Sequence, residues 1–281
     1  MLSVLCLLLV ACPQDPADPD ASISDHAVVV DSRPDSPPSP DAPQPDVRAP
    51  DLWPPWPDLS DNRPHKGIEH LKDSALKSAL LALVKDHTAL GYNEAREAIF
   101  TVAAGGVDVV GGLVECVYTG KQVQADGTTA PGGFNTEHSW PKSEGADVEP
   151  AKSDLNHLFS SDASANSYRG SLPFGVTDCA AKGSCTWSVG GSMIGPIVGG
   201  GAKVFMVRPA TQGDIARAHF YFSVRYGKPI PAAEELWLRL WNVADLPDAR
   251  ERDRTAAIEG LQGKRNPFVD RPDFVEQIGD F

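Results

Sequence analysis

The sequence lacks an apolar run long enough to cross a bilayer. Its first twelve residues, MLSVLCLLLVAC, fall short of the roughly 20 that a spanning helix needs. Cysteine is scarce, with five in 281 residues, and no C-x-x-C pair occurs, so neither a zinc ribbon nor a thioredoxin-type redox pair is indicated. H-E-x-x-H, Walker A and G-x-S-x-G sequences are also missing, which removes the enzyme classes that those motifs mark. No internal repeat is present, so a solenoid or propeller is not expected. Residues 13–62 contain neither Lys nor Glu, only eleven Asp against two Arg. That segment alone carries −9 of the net −13, leaving −4 for residues 63–281. The acidic balance therefore says little about the partner of the folded part.

What is present at the front reads as an export signal over residues 1–11, although a basic n-region is missing. Leu9-Val10-Ala11-Cys12 resembles the lipobox of bacterial lipoproteins, which makes Cys12 the expected lipidation site and a membrane the expected anchor. Residues 12–62 hold thirteen Pro among Asp, Ser and Ala, too little apolar surface to offset the entropy of ordering. They are expected to be a disordered, charge-extended tether, with Trp53 and Trp56 near its end. Residues 63–281 are long enough to bury a core as one domain, expected to act as a monomer.

Within that domain the apolar spacing predicts helices over 68–83, 92–102, 214–226, 232–243 and 248–261, with a short last helix opened by Pro272. Strands are expected over 113–118, 186–189 and 203–207, while 134–178 reads as irregular and polar. Strands in the middle with helices on both sides argue for an α+β fold. In an exported chain Cys179 and Cys185 can close a small disulfide loop, and Cys116, in the apolar LVECVYTG, is expected to be a buried thiol.

The chemistry concentrates in FNTEHSWPKS (134–143) and SDLNHLFSSDASANSYRGSLPFG (153–175). Ser160 or Ser161 can cap a short helix that Gly170 ends, and Asp162, Asn166 and Arg169 then share one face. Glu137 and His138 are adjacent, so both reach one site only if the chain leaves strand geometry there. Ser139-Trp140-Pro141-Lys142 fits the S-x-x-K of penicillin-recognising enzymes. The K-T-G element is missing, since Thr119-Gly120-Lys121 runs in the wrong order, and that reading is dropped.

Glu137–Pro141, Asp154–Leu158, Asn166–Arg169, Gly213–Ala218 and Gln262–Phe268 follow one another in an order that resembles the bacterial endonuclease I family of ββα-metal (His-Me finger) nucleases. The resemblance implies a ββα-metal core elaborated with several helices, and an endonuclease cutting DNA or RNA with little sequence preference. It makes His138 the general base and Glu137 and Asn166 the metal ligands. A carboxylate and an amide oxygen suit Mg²⁺, with Ca²⁺ or Mn²⁺ as alternatives. Arg169, one helical turn past Asn166, is expected to bind a phosphate oxygen, its rival role being an ion pair. The family pattern also implies 5′-phosphate products, and it usually has Pro where this chain has Ser160.

Asp154, Asn156 and His157 are read as pins of the loop rather than ligands. Lys264, Arg265 and Arg271 are candidates for a basic strip along a nucleic-acid backbone, whereas Arg250, Arg252 and Arg254 alternate with acids and read as a solvated helix face. Two other functions fit less well: a catalytically silent surface nucleic-acid-binding lipoprotein, and a phosphodiesterase acting on small exported substrates.

Overall fold

A computed structural model describes residues 65–281. The signal, the Cys12 lipidation site, and the linker with Trp53 and Trp56 lie outside the described residues. Leu76, Leu80 and Val84 recur at helical spacing and form the buried face of α1 (Asp73–Val84). The helix starts later than its periodicity suggests, because residues 68–72 form a turn and irregular chain. Next, α2 (Tyr92–Phe100) buries Ala95, Ala98, Ile99 and Phe100.

Three short antiparallel strands follow: β1 (Val109–Val110), β2 (Leu113–Glu115) and β3 (Gln122–Gln124). The strand expected to run to Tyr118 stops at Glu115. There the chain turns, with the Cys116 N–H donating to Lys121 and the Val117 N–H donating to Ser160.

The stretch read as irregular contains the arrangement that builds the site. An antiparallel pair, β4 (Phe134–His138) and β5 (Leu158–Asp162), runs in register from Phe134 opposite Asp162 to His138 opposite Leu158. It leads straight into α3 (Ala163–Arg169). These strands hide in the sequence because buried positions on both carry polar side chains, including Thr136, Glu137, Ser160 and Ser161, so hydrophobic alternation is lost. Asp162 caps α3 by accepting from the Ser164 and Ala165 N–H groups, while Ser160 and Ser161, the expected caps, sit in β5. Ser160 donates its N–H to Asp108 and its hydroxyl to the Glu115 carbonyl. Proline could not supply the first of those bonds.

Beyond α4 (Cys179–Lys182) a second three-stranded sheet comprises β6 (Trp187–Val189), β7 (Ser192–Pro196) and β8 (Lys203–Met206), with β7 in the centre. Cys179 and Cys185 are joined by a disulfide across a Cα separation of 4.8 Å, and Cys116 is a buried free thiol. Helices then complete the chain: α5 (Gln212–Tyr226), α6 (Ala232–Ala244), α7 (Ala249–Gln262) and α8 (Pro267–Asp270). The short last helix expected at Pro272 is a 3-10 turn, Pro272–Gln277.

The core gathers on α5. It buries Ile215, Ala216, Ala218, Phe220, Tyr221, Phe222 and Val224 against α1, α6 and α8. Gly227, at φ 63°, ends it in the left-handed conformation that glycine takes without a Cβ penalty. Phe222 stacks on Trp140 at 4.7 Å, which ties the segment after β4 to this helix. Three small antiparallel sheets among helices make an α+β fold.

Candidate active site

Glu137, His138 and Asn166 line one cleft of about 580 Å³, together with Tyr92, Arg96, Lys142 and Arg169. The demand that neighbours on a strand reach one site is met at the end of β4, because His138 is its last residue. His138 Nε2 lies 3.1 Å from the Lys152 carbonyl. A carbonyl only accepts, so Nε2 carries the proton, and in the neutral ring Nδ1 holds the lone pair. Burial pushes the His138 pKa down to about 2, with His157 and Lys142 adding to the depression and the bond to Lys152 resisting it. The ring is therefore neutral at ordinary pH.

Glu137 is held at one oxygen only. Its Oε1 accepts from the Tyr118 hydroxyl at 2.7 Å and from Arg169 at 3.1 Å. Oε2 takes no hydrogen bond among the described residues, and the side chain lines the cleft. Burial raises this carboxyl, opposed by Arg169, Tyr118 and Lys142. Asn166 is oriented from behind: its amide nitrogen donates to Asn135 Oδ1 at 2.9 Å and to the Thr136 carbonyl at 3.3 Å. Both donors are thereby used on β4, and the amide oxygen is left for the cleft. A carboxylate oxygen and an amide oxygen converging here are the hard donors that a small divalent cation takes, with water filling the other positions. No group of three His, Cys, Asp or Glu side chains suited to a metal exists among the described residues.

Of the two roles expected for Arg169, the ion pair is formed, with Glu137, while the side chain also lines the cleft. It is 1 % exposed and donates to Glu137, to the carbonyls of His138 (3.2 Å) and Gly170 (3.2 Å), and to the carbonyl of Ser139 (2.6 Å). With those acceptors filled, the guanidinium braces β4 and the residues after it from inside. His219, on α5, adds a second bond to the Ser139 carbonyl at 3.0 Å.

Two candidates of the basic strip are likewise engaged. Arg265 pairs with Asp270 and Glu259, and Arg271 pairs with Asp273. Lys264 forms no ion pair among the described residues and does not line the cleft. On the helix face read as solvated, Arg250 pairs with Glu115. Arg254 instead reaches inward to Asp108 and the Leu158 carbonyl.

The other motif residues build the scaffold. Asp154 accepts from Asn156 through one oxygen and from the Tyr221 and Tyr226 hydroxyls through the other. His157 is fully buried and bonded to the Ala151 carbonyl at 2.7 Å. Gln262 accepts from the Leu155 N–H and donates to Ser153 and Thr88, while Asn266 donates to the Arg217 carbonyl. Sequence reasoning missed Tyr118, Asn135, Tyr92, Arg96, Lys142 and Lys152 as site residues. Tyr92, Arg96, Tyr118 and Lys152 lie outside the two segments that hold the chemistry. Asn135 and Lys142 lie within FNTEHSWPKS and were open to notice there.

A neutral imidazole, two free oxygen donors and a basic wall in one cleft form a site equipped to move a proton beside an anionic ester. The comparison with known proteins agrees with that class. Residues 73–273 match the family model for Endonuclease I. The chain belongs to the endonuclease I family, and with it to the enzymes that hydrolyse nucleic acids. It is similar to the extracellular ribonuclease of Bacillus subtilis (strain 168), 29% identical over 76% of this chain and 77% of that protein. The extracellular ribonuclease of Bacillus amyloliquefaciens is 28% identical over 73% and 74%. A shorter likeness, 35% identical over 21% of this chain and 26% of the relative, is to the extracellular deoxyribonuclease of Aeromonas hydrophila.

Proposed function

We propose that this protein is an exported endonuclease that cuts DNA or RNA without strict sequence preference through a ββα-metal site. His138 is the general base, Glu137 and Asn166 hold one Mg²⁺, and the products carry 5′-phosphates. The observation that carries the reading is the convergence of His138, Glu137 and Asn166 on one cleft. Names of relatives that include both an extracellular ribonuclease and an extracellular deoxyribonuclease support export and leave either sugar as substrate. Attachment to a membrane through Cys12, and action as a monomer, belong to the same proposal and rest on the sequence alone.

In this mechanism Nδ1 of His138 takes a proton from water, whose oxygen attacks phosphorus. The bond to the 3′-oxygen breaks, that oxygen leaves with the electron pair and takes a proton from solvent water, and His138 returns its proton to the solvent. The Lys152 carbonyl keeps the imidazole in the tautomer that frees Nδ1. Arg169 and Tyr118 hold Glu137 by one oxygen so that the other stays available. When bound, a divalent cation would supply charge neutralisation at the phosphate and at the departing oxygen. Backbone contacts of this kind position a strand without reading its bases, which accounts for the expected lack of sequence preference.

The test is plasmid nicking with Mg²⁺, with and without chelator, by wild type and His138→Ala. The variant should lose several orders of magnitude in rate while calorimetry still detects Mg²⁺ binding. Near-normal turnover by the variant removes His138 as base.

A further inference from the structure

Tyr92, Arg96 and Lys142 line the cleft beside His138, Lys152 stands next to them, and the chemistry above uses none of these side chains. The Tyr92 ring lies 5.5 Å from the His138 ring. Around that one tyrosine stand Lys142 Nζ at 4.8 Å, Lys152 Nζ at 5.3 Å and the Arg96 guanidinium at 6.0 Å. An aromatic face attracts cations, so Tyr92 holds together three like charges that would otherwise spread apart. Lys142 is exposed, and Arg96 and Lys152 are half-buried.

None of these three has a carboxylate partner among the described residues, and Arg96 bonds only the Thr129 carbonyl there. Several buried or half-buried arginines elsewhere are matched: Arg208 with Glu115, Arg217 with Glu251, Arg254 with Asp108, Arg265 with Asp270. Three unmatched cations gathered on one ring, two of them lining the cleft, are a place for an anion from outside the chain. They stand one aromatic ring removed from the base. Lys152 also contributes the carbonyl that orients His138, so its backbone sets the base while its side chain stands over the Tyr92 ring.

We propose that Arg96, Lys142 and Lys152, gathered on Tyr92, bind the phosphodiester next to the scissile one, so that the site grips a strand of at least two phosphates. This rests on the reading of the cleft as a nuclease site. It also moves the backbone-binding surface from the C-terminal strip to the mouth of the site.

The experiment separates binding from hydrolysis. A labelled single-stranded oligonucleotide is titrated in EDTA by fluorescence anisotropy over a series of salt concentrations. Lys142→Ala and Lys152→Ala should each lower the slope of log Kd against log salt by about 0.7, and the triple variant with Arg96→Ala by about 2. Tyr92→Phe should bind as wild type, and Tyr92→Leu should behave like the loss of a cation. Lys203→Ala, an exposed cation outside the cleft lining, serves as the control. A dinucleotide, with a single phosphodiester, should bind the triple variant and wild type alike. Wild-type slope in the triple variant overturns the proposal, as does an equal loss on the dinucleotide, which would place the cations on the scissile phosphate. Nicking by wild type alongside an unchanged slope removes this clamp alone; a lowered slope without any Mg²⁺-dependent nicking removes the hydrolytic reading alone.

Discussion

Arg169 and Glu137 form a buried ion pair, with NH1 3.1 Å from Oε1 and both side chains 3 % exposed or less. The pair joins the last turn of α3 to β4, and the same guanidinium holds the carbonyls of His138 and Ser139. One residue thus fixes a metal-ligand candidate and the backbone on either side of the base. Both terminal nitrogens of this cation, which reaches a carboxylate and three carbonyls, are engaged with the protein itself.

Arg169→Ala should therefore cost stability as well as rate. Removing one partner of a buried pair leaves the other uncompensated, a loss of roughly 3–5 kcal/mol. Arg169→Lys should recover little, because an ammonium lacks the planar fork that meets several acceptors at once. Urea denaturation checks both variants. An unchanged midpoint with lost activity would restore the phosphate-ligand role and remove the brace.

Much of this was legible in the sequence. Helices such as α5, α6 and α7 show where apolar positions recur at helical spacing, and their observed bounds lie within two residues of those read. The pairing of β4 with β5 was not legible, because strand reading depends on alternation and these strands bury Thr136, Glu137, His138, Ser160 and Ser161. The same residues that hide the strands reveal the site. Motif order identified Glu137, His138 and Asn166, but no spacing rule places Tyr118, from the turn between β2 and β3, against Glu137. Arg169 shows the limit: position on a helix face gives direction, not whether the side chain ends in water or in a carboxylate.

Asn166 should behave as an oxygen donor steered by its own nitrogen. Asn166→Ala removes the oxygen and should raise the Mg²⁺ needed for half-maximal nicking by at least tenfold, with the melting temperature near that of wild type. Asn166→Asp keeps an oxygen but loses both donations to Asn135 and Thr136, so it should recover activity only in part. Magnesium titrations of nicking rate measure both effects. An unchanged Mg²⁺ requirement in Asn166→Ala would remove this residue from the metal site.

Gly213 opens one of the sequence motifs for a steric reason. A Cβ there would lie 2.0 Å from the Asp245 carbonyl and 2.6 Å from the Arg217 guanidinium, which itself pairs with Glu251. Gly213→Ala must push α5 away from the end of α6 and disturb that buried pair, at a cost of about 2–4 kcal/mol. Thermal unfolding reads the loss directly. A variant as stable as wild type would mean that this contact yields without cost.

Glu234 supplies a pH dependence remote from the metal-ligand candidates. Its carboxyl accepts from the Phe174 N–H at 2.7 Å. Burial pushes its pKa up to about 7 from the usual 4.5, with that hydrogen bond and Arg169 opposing the rise. The folded protein keeps this proton up to about pH 7, whereas the unfolded chain releases it near 4.5. Below 4.5 both states are protonated and no penalty exists. Between about 4.5 and 7 the unfolded state is favoured progressively, and above 7 the folded state carries the whole cost of the charge. Glu234→Gln keeps an oxygen for Phe174 and cannot ionise. It should stabilise the protein at pH 8 by ~1–3 kcal/mol while differing little near pH 4.5. Melting temperatures of both proteins across pH 4.5–8 test this, and a gap that fails to widen with rising pH would show that the Glu234 carboxylate is solvated in the folded state.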